Sequence, residues 1–252
     1  MSRNFYNYSN PKFNVLKNLI AILAVFCAFS LYANYKPNTA VVPVLKYDKA
    51  KTPGNFYDVE LIKSSDFPDA EIKAGMANGK AITQITYGDG VWALVMAKGT
   101  GYTNQIWRTR YDFPSDEIQK GWGDNKTITS LTYGNGVWVL VMSESTGYYG
   151  QMWRKRVDFP KDEIQKGWDE GKYITVLEYC NNVWVLVMSK GTGYTQQNWV
   201  TRSYFPSDEI KDGWDASKSI TTLNYSLDRW VLVLSKGSGY YSQSWRTRIK
   251  IP

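Results

Sequence analysis

A period of 46 residues governs this chain. Residues 137–143 read Val-Trp-Val-Leu-Val-Met-Ser, with close copies at 91–97, 183–189 and 229–235. Phe67-Pro68, Phe113-Pro114, Phe159-Pro160 and Phe205-Pro206 keep the same spacing without an insertion, and Ile251-Pro252 falls in the next register. Such rigid spacing predicts one duplicated structural unit with the same geometry at every junction. The repeated heptapeptide is β-branched and aromatic, and apolar on both alternating faces. It reads as a strand covered on both sides, hence central in its sheet, and it is too short for a buried helix.

Local chemistry orders the rest of a unit. Pro114 pre-sets φ for a first helical turn, and Asp116 and Glu117 place acids near a helix N-terminus. Gly121 is expected at a left-handed C′ position, with Trp122 folding back on Ile118. A strand over residues 128–133 follows. Asn135-Gly136 and Asp89-Gly90 are strong hairpin turns into the central strand; Cys180-Asn181-Asn182 and Ser226-Leu227-Asp228 fill the same place with weaker turn chemistry. A Gly-rich connection then leads to a third strand over residues 105–110. The expectation is a short helix plus a three-stranded antiparallel meander in units 67–112, 113–158, 159–204 and 205–252. The predicted fold class is mainly β: a propeller-like toroid over residues 56–252, with an open array as the alternative. Residues 56–63 read as a strand that joins the last unit's sheet and closes the ring.

The N-terminus differs in character. Residues 1–18 are polar and basic, and residues 19–32 are nearly continuous apolar sequence. Basic flank plus apolar run predicts a hydrophobic helix within residues 1–35, either a cleaved secretory signal or a signal anchor crossing the inner membrane through residues 15–35. The repeat domain would then lie outside the cytoplasm, anchored or secreted. Residues 36–55, with Pro37, Pro43, Pro53 and Gly54, read as a linker. Net charge is +7, and Arg3, Lys12 and Lys17 carry three of those charges. The body is therefore only mildly basic, which does not call for nucleic acid.

Histidine is absent and the only cysteines are Cys27 and Cys180, so no metal site and no cofactor is expected. Glu71, Glu117, Glu163 and Glu209 recur once per unit, which suits a helix end or a junction better than catalysis. The candidate binding residues are the connection tyrosines Tyr102, Tyr148, Tyr194 and Tyr240, with Lys98, Lys190 and Lys236 four residues earlier. Aromatic faces beside hydrogen-bonding groups suit sugars or peptide segments, and loops on a rigid scaffold present them repeatedly. A tyrosine covering its own hairpin is the plainer reading. Arg108, Arg154 and Arg246 are candidates to add charge, although Val200 breaks their series and Glu144 breaks the lysine series.

The assembled pattern of Phe-Pro, Ile, Gly-Trp, Lys-x-Ile-Thr, Tyr-Gly and Val-Trp-Val-Leu-Val-Met-Ser-Lys-Gly-Thr-Gly-Tyr-Thr-x-Gln is best kept over residues 159–198. It resembles an uncharacterised Trp/Gly-rich repeat domain of bacterial proteins, found also after the kinase domain of plant casein-kinase-like kinases. The resemblance implies no catalytic residue and no kinase activity. The function expected is an exported, non-enzymatic binding or scaffold domain for a cell-envelope glycan or a protein partner. The alternative is an envelope hydrolase using carboxylates in a central pocket. A polar residue unique to one unit would support it, and Glu178, where other units have Thr86, Thr132 and Asn224, is the candidate.

Overall fold

The computed structural model describes residues 20–22, 40–47 and 56–248. Two strands come first, β1 (Ile20–Ile22) and β2 (Ala40–Tyr47), followed by β3 (Tyr57–Ser64). The first unit contributes α1 (Asp69–Ala77), β4 (Ala81–Gly88), β5 (Val91–Lys98) and β6 (Thr103–Arg110). The second contributes α2 (Ser115–Gly123), β7 (Thr127–Gly134), β8 (Val137–Glu144) and β9 (Tyr149–Arg156). The third contributes α3 (Lys161–Asp169), β10 (Tyr173–Cys180), β11 (Val183–Lys190) and β12 (Gln196–Arg202). The fourth contributes α4 (Ser207–Asp215), β13 (Lys218–Ser226), β14 (Arg229–Lys236) and β15 (Tyr240–Arg248). The molecule is mainly β, with four repeats of a three-stranded antiparallel sheet plus a helix.

The sheets are not the meanders expected from sequence. Their orders are β3-β5-β4, β6-β8-β7, β9-β11-β10 and β12-β14-β13, so each central strand pairs with its own hairpin partner and with the last strand of the preceding unit. Two-residue turns fix the hairpins: Asp89-Gly90, Asn135-Gly136, Asn181-Asn182 and Leu227-Asp228 all have positive φ at both positions, so the less ideal pairs make the same turn. The connection after each central strand is longer and Gly-containing, so it imposes no pairing and delivers its strand to the next sheet. By the same rule β3 pairs with β5 in the first sheet; it does not join the last unit's sheet. The last unit's β15 pairs with β2, and β2 with β1, in a fifth three-stranded sheet.

Two further expectations change here. The stretch read as a linker contains β2, whose Ala-Val-Val-Pro-Val-Leu run is strand-forming on both sides of Pro43. Pro43 lies opposite Trp245 and outside Val44–Lys46, the part that also pairs with β1. Within the apolar run, Ile20–Ile22 form a strand instead of a helical turn. The rest of the expected export segment lies outside the described residues. Among the described residues no helix is long and apolar enough to cross a membrane.

Each central strand feeds two core layers. Trp138, Leu140 and Met142 point towards the following sheet and meet Val185 and Val187, with Ile118 of α2 beside them. Val139 and Val141, on the opposite face, meet Trp92, Leu94 and Met96 of the preceding sheet. Alternation by two thus converts one apolar heptapeptide into both walls of successive layers. The Phe-Pro motif closes each layer: Phe113 packs edge-on against Trp138 at 5.0 Å and tilted against Trp153 at 4.6 Å. The same contacts recur as Phe159–Trp184 and Phe159–Trp199, and as Phe205–Trp230 and Phe205–Trp245. The third-strand tryptophans are therefore packing groups.

A glutamine ties each unit to the next. Gln151 on β9 accepts from Ile128 N at 2.7 Å and from Trp122 Nε1 at 3.1 Å. Its Nε2 donates to Ile128 O at 3.1 Å and to Ser189 Oγ at 2.9 Å. Gln105, Gln197 and Gln243 hold Ile82, Ile174 and Ile220 in the same two-way grip. Every inner strand is a sheet edge, and the glutamine of the adjacent sheet satisfies its outward amide and carbonyl. The register shifts at the next residue, where Thr83, Thr129, Thr175 and Thr221 bulge and donate to the central strand's carbonyls.

The helix glycine has a different task from the one expected. Gly121 lies inside α2, and the left-handed residue is Asn125 at φ 58°. Asn125 N donates to Trp122 O and Lys126 N to Gly121 O, closing the helix end. Gly121 is required because a Cβ there would lie 2.3 Å from Met142 Sδ. Gly75, Gly167 and Gly213 face Met96, Met188 and Leu234 likewise.

Two predictions follow from these contacts. Gly121→Ala should lower stability by about 1–2 kcal/mol in denaturant unfolding, because buried Met142 moves only by disturbing its layer. Gly123→Ala, with nothing within 4 Å of its Cβ, should raise stability by about 0.5–1 kcal/mol through helix propensity; equal effects at both positions would refute the steric reading. Gln151→Leu strands three polar groups, Ile128 N, Ile128 O and Trp122 Nε1, whereas Ser189 Oγ keeps Thr175 Oγ1; it should cost about 3 kcal/mol or more, each unpaired buried group costing about 1–3 kcal/mol.

Candidate functional site

The connections after the central strands meet at one end of the inner strands, because Ala81 of β4 pairs with Ala97 and Gly88 with Val91. Each connection is closed by a hydroxyl that accepts from the amide two residues on: Thr100 from Tyr102, Thr146 from Tyr148, Thr192 from Tyr194 and Ser238 from Tyr240. Neighbouring connections touch through backbone. A Cβ on Gly191 would lie 2.1 Å from Gly147 O, and one on Gly237 2.5 Å from Gly193 O. Thr195 N donates to Lys236 O at 2.9 Å.

The four tyrosines expected as binding residues are brought together here. All are half-buried and none projects fully into solvent. Burial holds the Tyr194 phenol well above its usual range, and Tyr148, Tyr240 and Tyr102 act on it in the same direction. Burial likewise raises Tyr148. Tyr173 packs edge-on to Tyr194 at 6.0 Å. A cavity of about 320 Å³ lies beside Tyr102, Gly99, Gly101, Lys80 and Gln105.

The basic residues behave differently. Lys98 pairs with Asp58 at 3.0 Å, and Asp58 also meets Lys80 at 3.3 Å. Both lysines hold the Asp58 carboxyl below its usual value. Glu144 keeps this junction with a carboxylate in the place of Lys98, meeting Lys126 at 2.8 Å and accepting from Asn104 at 2.7 Å. Lys190 lies along Gly150, and Lys236 is exposed. Arg108 and Arg154 sit on the outer strands, paired in register with Leu140 and Leu186, and each donates to the carbonyl of its preceding tryptophan. They do not join the tyrosines. Arg246 lies on β15 opposite Val42, and its side chain is outside the described residues. The recurring glutamates are junction groups: Glu117, Glu163 and Glu209 pair with Arg110, Arg156 and Arg202 of the preceding strand.

A second feature lies between the inner strands, which pack in the order β4, β7, β10, β13. They line a half-open cavity of about 80 Å³, formed by equivalent positions of the four units. One set is Gln84, Ser130, Val176 and Thr222; the next is Thr86, Thr132, Glu178 and Asn224. Thr86, Thr132 and Asn224 are buried; Glu178 retains accessible surface, and it lines the cavity. Thr132 Oγ1 donates to Glu178 Oε1 at 2.9 Å. Burial pushes the Glu178 carboxyl up to about 8, although the Thr132 and Thr86 hydroxyls favour its charged form. Burial first, and Glu178 second, raise the Cys180 thiol well above its ordinary value, so this buried cysteine is inert. Among the described residues no cluster of three acidic, Cys or His groups is placed to hold a metal.

The fold and these features define a mainly β repeat protein whose units share their sheets. The chain belongs to the family described as Domain of unknown function (DUF7477), whose model matches residues 57–240. No curated protein and no solved structure matches it.

Glu178 makes stability depend on pH with a defined sign. Its folded value lies above the ordinary 4.5, so folding takes up a proton between about pH 4.5 and about pH 8. The stabilisation is complete below that window and is lost as pH rises through it. In low-salt buffer the wild type should lose stability relative to Glu178→Gln across the window, and run parallel to it above. Unfolding midpoints that keep a constant separation would refute the raised value.

Proposed function

We propose that the chain is an exported, membrane-tethered, non-enzymatic binding domain that engages a cell-envelope glycan or a protein partner through its repeated connections. The observation that carries this reading is the convergence of four Gly-x-Gly-Tyr or equivalent connections on one end of the molecule, the second to fourth touching through backbone and the first meeting the second through Thr103 and Ser145. Four tyrosines held in a rigid frame offer aromatic surface at low entropic cost, and repetition favours multivalent engagement. The basic and apolar N-terminal sequence supports export. A mildly basic body without a dense cationic face gives nucleic acid no support.

The architecture that suits this role is a propeller-like toroid. Ala93 and Val95, on the face of the first central strand that no earlier repeat covers, are 0% and 2% exposed. Their burial supports a closed ring in which the β1-β2-β15 sheet stands between the fourth sheet and the first. Pairing of β2 with β15 would be the clasp.

The rival reading, an envelope hydrolase, gains from one observation: Glu178 is a half-buried carboxyl found in one unit alone, and its raised value lets it retain its proton near neutral pH. It lacks a partner, because the cavity lining includes no second carboxyl. A volume of about 80 Å³ is also well below the roughly 300 Å³ at which ligand pockets begin.

Co-sedimentation of the full chain with purified cell-wall sacculi, at low and high salt, tests the glycan arm. Binding should survive high salt and fall at least about tenfold, about 1.4 kcal/mol, when all four connection tyrosines become alanine. The phenylalanine variant, which keeps the packing and the aromatic surface, should retain most of it. Binding abolished by salt alone would reduce the effect to charge. No binding at either salt would remove glycan and leave the protein partner.

A further inference from the structure

We infer that the cavity between the inner strands is a binding site for one small monovalent cation, held by oxygens of Glu178, Asn224, Thr86 and Thr132. This site is separate from the tyrosine connections and does not depend on what they bind. Asn224 is 7% exposed, and its Nδ2 donates to Leu177 O at 2.6 Å. That bond to a carbonyl settles which amide atom is nitrogen. The other atom, Oδ1, is left buried without a partner. Buried amide oxygens are almost always satisfied, so this one points to a group the protein does not supply.

The surroundings say what that group is. The lining carries hydroxyl, amide and carboxyl oxygens and no lysine or arginine. Glu178 therefore has no counter-charge in the cavity. Thr86 and Thr132 give their hydroxyl protons to its carboxyl and keep lone pairs free. Oxygen donors of this kind suit hard cations. One carboxylate balances one charge, whereas a divalent ion would leave an uncompensated charge away from bulk water. A volume of about 80 Å³ accommodates an ion with one or two waters, at roughly 30 Å³ per water. The donor set is asymmetric: the third unit supplies the carboxyl and the fourth the amide, where the first two supply hydroxyls only.

The test compares thermal unfolding of the full chain in choline, sodium and potassium chloride, at about 0.1 M total salt so that screening is matched. The buffer stands at about pH 9, above the raised Glu178 value of about 8, so that most of the carboxyl is ionised. Choline is too large for the cavity. Sodium or potassium should raise the wild-type midpoint by about 2–4 °C over choline, and Glu178→Gln should remove the difference. Sodium NMR on the wild type provides an arm that needs no variant: the sodium line should broaden with protein and narrow when potassium competes. Equal midpoints in all three salts without line broadening would mean that the cavity holds only water, and would overturn the proposal. So would a rise that persists undiminished in Glu178→Gln, or a rise given by calcium and by neither monovalent ion.

Discussion

The bidentate grip of a third-strand glutamine on the backbone of the neighbouring inner strand is the contact on which the architecture depends. A sheet of three strands always has two edges, and an inner edge packed against its neighbours cannot leave amides and carbonyls unpaired. Gln105, Gln151, Gln197 and Gln243 meet that demand from the adjacent sheet. In the second and third units the same side chain also receives the helix tryptophan and binds the serine of the next central strand, so four elements are positioned by one residue. Fixed geometry at this point explains why the period tolerates no insertion.

Sharing of strands between units follows from the same economy. A unit that kept all three strands would present its neighbours with finished sheets, joined by side-chain packing alone. By handing its last strand forward, each unit is joined to the next through a full ladder of backbone hydrogen bonds. The core layers then run between sheets, one central strand's tryptophan face against the next strand's valine face. Strand exchange and layer formation are two consequences of one offset between sequence repeat and sheet.

Much of this was legible in the sequence, and the gaps have physical causes. The period, the helix, the hairpin and the doubly covered central strand were all marked locally, by Phe-Pro, by Asn-Gly or Asp-Gly turns and by the apolar heptapeptide. The partner of the third strand was not, since a Gly-rich connection states only that the chain turns. Gly121 was read as a helix-end glycine, whereas the obstacle to a side chain there is Met142, 21 positions later and on another element. The glutamines carried the same period as the tryptophans and were the signal most easily overlooked, because a polar residue on a strand reads as solvated until its partner is known. The tyrosines were visible in sequence as a set repeated in the Gly-rich connections, but nothing local showed that they converge. Of the lysines beside them, Lys98 serves a junction, where it and Glu144 perform one task with opposite charge.

Fourfold repetition also clarifies where repetition fails. At the position occupied by Thr86 and Thr132, the third and fourth units carry Glu178 and Asn224. A packing role would favour one residue type at all four places, as it does for the isoleucines Ile72, Ile118, Ile164 and Ile210, all 0% exposed. Hydroxyls satisfy this position in two units without charge. Replacing a hydroxyl by a carboxyl there incurs a desolvation cost that the scaffold does not need for folding, and the amide beside it leaves an acceptor unmatched. Features that weaken a frame otherwise consistent at every level are where function is to be sought, and two of them, the Glu178 carboxyl and the unmatched Asn224 acceptor, fall on the same cavity between the inner strands.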